Sequence, residues 1–224
     1  MESSEITAVA EARPAGIPVP ASAPPDVLIG AGGDPLALGV SVFAIGALTL
    51  GMLFVGVFPA AAVGVAVPVT IFTSGIPLIL TTVWGFIRGQ SVLAGIFGTV
   101  AGLFTTFGFL VIGLDHNWYA IPAADVPAAQ AVYFIAFACY FLFLIVPSLQ
   151  LPRLFTIAIV LVFVGLALAA AAQLATRPVL AQIAGADFLV IAFVLFWLFL
   201  NVHTTAVGVK PWPPLGKPLG TPVS

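Results

Sequence analysis

The spacing of polar residues constrains this chain more than any other feature. From about residue 34 to residue 209, apolar runs follow one another with short polar breaks between them. Each run has roughly the 20 residues needed to cross a hydrocarbon core. The chain is 62% hydrophobic and 6% charged over 224 residues, whereas a soluble domain carries about 25% charged residues. Water cannot wet a surface so poor in charge, so lipid must be the solvent for most of the chain. The expected fold is all-α, a polytopic membrane protein with six transmembrane helices forming one bundle per subunit. Six such helices take up most of the length, leaving no room for a catalytic domain.

The breaks set the expected boundaries. The first span runs roughly from Leu36 to Val57 and turns at Phe58-Pro59; the second runs from Ala60 to Ile87. Pro68 and Pro77 lie inside the second span. Each removes a backbone hydrogen bond, so this helix is expected to kink or tilt. Arg88-Gly89-Gln90 forms a turn before a third span over Ser91–Gly113. A polar loop from Asp115 to Pro127 leads to a fourth span over Ala128–Val146. Pro147 and Pro152 bracket the next turn, and Arg177-Pro178 separates a fifth span (Leu154–Leu174) from a sixth (Ala181–Thr205). Residues 1–33, rich in proline and alanine without apolar period, are expected to form a disordered cytoplasmic tail. They lack the basic start and apolar core of a signal peptide. The six-helix domain covers 34–209, and residues 210–224, rich in proline and glycine, read as an extended cytoplasmic tail.

Six spans put both termini and the turns after spans two and four on one side. That side holds Arg13, Arg88, Arg153, Lys210 and Lys217, and the other holds only Arg177. The positive-inside rule then places both termini in the cytoplasm. Trp118, Tyr119 and Trp212 flank spans as interfacial anchors do. The net charge of −2 offers no electrostatic case for nucleic acid. Cys139, the single cysteine, lies in an apolar run and cannot form an internal disulfide. The Ala, Val, Gly and Pro bias suits a GC-rich bacterial source.

Little in the chain suggests covalent chemistry. No nucleophile-and-base set or phosphate loop is present, and His116, between Asp115 and Asn117, has no nearby histidine or cysteine to complete a metal site. An enzyme, a metal and a cofactor are therefore not expected. Asp34 precedes Pro35, as a helix N-cap does, with a pore-mouth group as the alternative role. Asp187 lies in the first turns of the sixth span, where an ionisable group is a functional candidate or simply reaches headgroups. His203 and Asn201 sit at the inner end of that span. Ala94, Gly98 and Gly102 line one face of the third span and suit close helix packing or a widened pore. Hydroxyls within the spans, Thr70, Ser74, Thr81 and Thr105 among them, either bond the preceding turn or line a solute path.

Certain motifs resemble a known family. Asp34-Pro35-Leu36-Ala37-Leu38-Gly39-Val40 resembles the Asn-Pro-Ala-Pro-Leu-Gly-Leu signature of the acetate transporter (succinate–acetate permease) family, and Phe43 falls where that family carries phenylalanine. Phe86-Ile87-Arg88-Gly89-Gln90-Ser91, with Phe97-Gly98-Thr99 beyond it, is similar to the family's Arg-Gly-Asn-Thr turn and its Phe-Gly-Ser-Tyr-Gly helix. Ala184-Gly185 opens the last span, Trp197 stands where the family has tyrosine, and Pro214-Leu215-Gly216 resembles the closing Leu-Pro-Leu-Gly. The resemblance covers Asp34 to Gly216.

It implies a bundle that assembles as a homohexamer in the cytoplasmic membrane and carries acetate or similar short monocarboxylates, often with protons. The implied pathway residues are Asp34, Pro35, Leu38 and Gly39 at the inner mouth. Phe43, Val100 and approximately Val162 form the implied apolar constriction, and Thr99 and Trp197 are further implied pathway residues. Several positions depart from the family. Asp34 replaces asparagine and Ala37 proline. Val100 replaces tyrosine, Leu78 glutamine, and Gly85 an acidic residue. The path is expected to be drier than the family's, and a dry path disfavours a naked carboxylate. Two further readings are a channel for a small neutral solute (urea, an amide or ammonia) and a non-transporting scaffold subunit.

Overall fold

The computed structural model describes residues 33–220. Apart from Gly33, the expected N-terminal tail lies outside the described residues. Six helical spans are long and apolar enough to cross a membrane, and no strand is present among the described residues. The protein is an all-helical, multi-pass membrane protein.

Helix α1 spans Pro35–Val55. It starts where proline, whose missing N–H costs nothing in a first turn, follows an N-cap. The cap is Asp34, whose Oδ1 accepts from the Leu36 N–H at 2.9 Å. Gly56 ends the helix at φ 77, a left-handed conformation that glycine adopts without strain. The helix therefore stops two residues before the expected Val57.

The second span is irregular, for the reason its prolines give. A 3₁₀ segment (Ala60–Val65) leads into one α-turn (Ala66–Pro68), then a π segment (Val69–Gly75), and only then a regular helix, α2 (Ile76–Ile87). Pro77 has no N–H to donate, and the Ile76 N–H reaches back five residues to Ile71 O. Hydroxyls bond carbonyls around this defect. Thr70 Oγ1 donates to Ala66 O at 2.6 Å, Thr81 Oγ1 to Pro77 O at 2.9 Å, and Ser74 Oγ crosses to Val42 O of α1 at 2.8 Å.

Four regular helices complete the bundle: α3 (Ser91–Asp115), α4 (Val126–Ser148), α5 (Arg153–Ala175) and α6 (Pro178–Ala206). Helix α1 packs most extensively on α6, α6 on α5, and α5 on α4; on the other side α1 meets α2, which lies against α3. Helices α3 and α4 barely touch through their backbones. Side chains bridge them instead: the half-buried Tyr133 O–H donates to Leu103 O, and Phe107 and Phe134 pack with ring centroids 6.3 Å apart. Of the small-residue stripe on α3, Ala94 meets Gly85 and Gly98 meets Thr82 of α2, whereas Gly102 borders open space. Outward-facing residues such as Phe72, Leu80, Val132 and Phe143 are exposed and apolar, as a lipid-facing surface must be.

The chain beyond α6 returns across the α4–α5 turn. Asn201 Nδ2 donates to Pro213 O at 2.7 Å and Trp197 Nε1 to Pro214 O at 3.2 Å. The Leu154 N–H bonds Leu215 O at 3.0 Å, and Leu219 and Gly220 both donate to Leu149 O. Leu215 packs against the core. Asn201 is buried, so Asn201→Leu is expected to cost about 1 kcal/mol and leave the Pro213 carbonyl unpaired. Amide exchange over residues 215–220 should quicken; unchanged exchange would mean that the other bonds hold this segment unaided.

Candidate transport pathway

A spacing of three and four residues points one side chain per turn at the bundle axis. On α1 the series is Val40, Phe43, Ala47 and Leu50; on α3 it is Phe97, Val100, Phe104 and Phe107; on α6 it is Phe188, Ile191, Leu195 and Leu198. All twelve are buried. With Phe134 and Phe141 of α4 and Phe155, Val162 and Leu166 of α5, they line two small cavities stacked along the axis.

The first cavity, of about 20 Å³, is lined by Phe43, Val100, Phe104 and Val162 together with other apolar groups. The second, also about 20 Å³, is lined by Val40, Phe43, Phe97, Phe155 and Leu198 among others. Each has room for about one water but no polar atom to hold it. Phe43 is the one residue that lines both. Its ring meets Phe104 edge-on, with centroids 5.8 Å apart, and so divides the axis into an upper and a lower dry chamber.

Above the first chamber the bundle opens. Phe107 and Phe134 line both this chamber and a crevice of about 360 Å³ that also contains Gln130 and Gln173. Gln130 in turn borders a wider crevice of about 710 Å³ with Asp115 and His116. The His116 Nδ1 lies 3.0 Å from Ile112 O and 3.6 Å from Asp115 Oδ2. Phe107 and Phe134 thus stand as a neck between an open, partly polar vestibule and the dry chambers.

The structure brings Phe43, Val100 and Val162 together on one chamber. Asp34 is exposed at the α1 N-cap, Pro35 and Gly39 are buried, and Leu38 is half-buried. Gly39 faces the Phe97 ring so closely that a Cβ there would stand 2.5 Å from Phe97 Cζ. Thr99, half-buried beside Val100, lines neither chamber. Trp197 stands away from both, its ring against Phe193 and its indole on the returning C-terminal segment. Phe104, Phe107, Phe134 and the two glutamines line the upper chamber or the vestibule crevice without having been singled out by the sequence reading. The three-and-four spacing of Phe97, Val100, Phe104 and Phe107 was the available signal.

The sequence model of the GPR1/FUN34/yaaH family matches residues 24–207. The chain belongs to that family. It is the acetate transporter family that the Asp34–Val40 and Arg88–Gln90 motifs resemble. Among solved structures, that of the bacterial acetate channel SatP superposes with a TM-score of 0.73 at 20% sequence identity, covering 82% of this chain and 99% of that one. The likeness extends the family relation to the six-helix fold. No curated protein matches the chain. Every side chain that lines the two chambers is apolar, Val100 among them, while the fully buried Leu78 lines neither.

Proposed function

We propose that the protein is a non-enzymatic channel or transporter for acetate or a similar short monocarboxylate, carried as the neutral acid or together with a proton. The observation that carries this reading is the pair of apolar chambers meeting at Phe43, in a chain of this family. Bringing a carboxylate into an apolar space without partners costs far more than bringing in its uncharged acid. A chamber with no polar lining therefore rejects the ion and admits the acid. Phe43, Val100 and Val162 form the gate, and Asp34, Pro35, Leu38 and Gly39 shape the inner mouth, with Thr99 and Trp197 supporting the helices around the path.

The protein sits in a bacterial cytoplasmic membrane with both termini inside, as the positive-inside rule favours. It works as a homohexamer, each subunit with its own path and with short cytoplasmic tails at 1–33 and 210–224. The test is uptake of labelled acetate into proteoliposomes of the purified protein. Uptake that saturates and increases with an inward proton gradient is expected. Absence of acetate flux at every gradient tested would end this reading, and flux indifferent to the gradient would transfer the pore to neutral solutes.

A further inference from the structure

The vestibule crevice is lined by Gln130 of α4 and Gln173 of α5, and every other side chain lining it is apolar. Both glutamines are half-buried, and neither carboxamide bonds another protein group among the described residues. The same crevice is bounded below by Phe107 and Phe134, the neck of the dry chambers. The carboxamides therefore stand at the last point on the path where a solute still meets polar protein atoms.

A carboxamide offers an N–H donor and a C=O acceptor side by side in one plane. An undissociated carboxyl group offers the complementary pair, an acceptor C=O and a donor O–H. A carboxylate has acceptors only, so it would satisfy the amide N–H and set its other oxygen against the amide carbonyl. We propose that Gln130 and Gln173 form the outer recognition site of the pathway and select a short carboxylic acid in its undissociated form before it enters the neck. The inference rests on the acetate reading given above, and it assigns to the vestibule the discrimination that the chambers then enforce by dryness. Mostly apolar clefts with a few polar groups are the usual form of a small-molecule pocket.

The experiment compares the full-length wild type with Gln130→Leu/Gln173→Leu and with Gln173→Glu in proteoliposomes. Initial rates of acetate uptake are measured at pH 5 and pH 7, with and without acetamide as a competitor that cannot ionise. Losing a hydrogen bond to the solute should raise KM about three- to tenfold in the double variant, with kcat within about twofold because the chambers are untouched. Acetamide should inhibit the wild type and lose its effect in the double variant. Gln173→Glu, nearly the same size, keeps the fold testable if the double variant aggregates. It should depress uptake more at pH 7 than at pH 5, because an ionised carboxylate has no donor to offer the acid's carbonyl, whereas its protonated form keeps one. An active wild type whose KM and acetamide inhibition are unmoved in the variants would overturn this inference alone. A silent wild type would overturn the acetate reading and this inference with it.

Discussion

Phe43→Ala is expected to raise acetate flux severalfold while making the protein less stable. The ring is buried, lines both dry chambers and packs edge-on against Phe104. Its removal joins the chambers and takes away the one side chain common to both. Truncating a buried phenylalanine costs about 3–5 kcal/mol in packed cores, so the melting temperature of the purified protein should fall clearly. Ile71→Ala is the control. Ile71 is buried too, but it lines neither chamber. Its variant should lose comparable stability while flux stays near wild type. Equal flux from the two variants would show that any enlarged core leaks, and Phe43 would lose its place as the gate.

Gly185→Ala is expected to destabilise the bundle at its most extensive helix pairing. Gly185 lies on α6 directly against the end of α1. A Cβ there would overlap the Val55 backbone nitrogen and come within 2.6 Å of the Phe54 carbonyl carbon. Backbone cannot rotate aside as a side chain does, so α1 and α6 must separate. Overpacking of this kind costs typically about 1–3 kcal/mol. Gly102→Ala supplies the contrast, because open space surrounds that position. There the added methyl should leave stability unchanged or raise it by about 0.5–1 kcal/mol, since alanine loses less chain entropy in a helix than glycine. Thermal melting of the two variants in the same detergent decides the matter. If Gly185→Ala melts with Gly102→Ala, the contact between α1 and α6 is looser than the geometry requires.

The elements differ in how readily their sequences announced them. Asp34-Pro35 reads as a helix start because both the cap and the proline act through local geometry, and the bond from Leu36 follows. The broken second span was foreseeable from Pro68 and Pro77 for the same reason, although the division into 3₁₀, α and π segments was not. That division depends on how Ser74 and its neighbours meet α1. The axis-facing stripes were harder to see. In water, a buried face stands out against a polar one. Here the opposite face is buried in lipid and is equally apolar, so Phe104 and Phe107 carry the same hydrophobic signature as the lipid-facing Phe109 and Phe143. The resemblance to a family supplied Phe43, Val100 and Val162, which composition could not have distinguished from dozens of similar residues.

By itself, the sequence determined the solvent of this protein, the number of its spans, their approximate ends and the side on which its basic residues gather. Those properties depend on local composition, on prolines and glycines, and on charges counted along the chain. Only the tertiary structure decided which apolar residues surround the path, that Phe43 divides it, that Gln130 and Gln173 share one crevice, and that the C-terminal segment binds back onto Leu149 and Leu154. Each of these joins residues from different helices, or uses backbone carbonyls that every residue possesses. A one-dimensional pattern carries no record of either, because the apolar side chains that pack inward and those that meet lipid obey the same preference for leaving water.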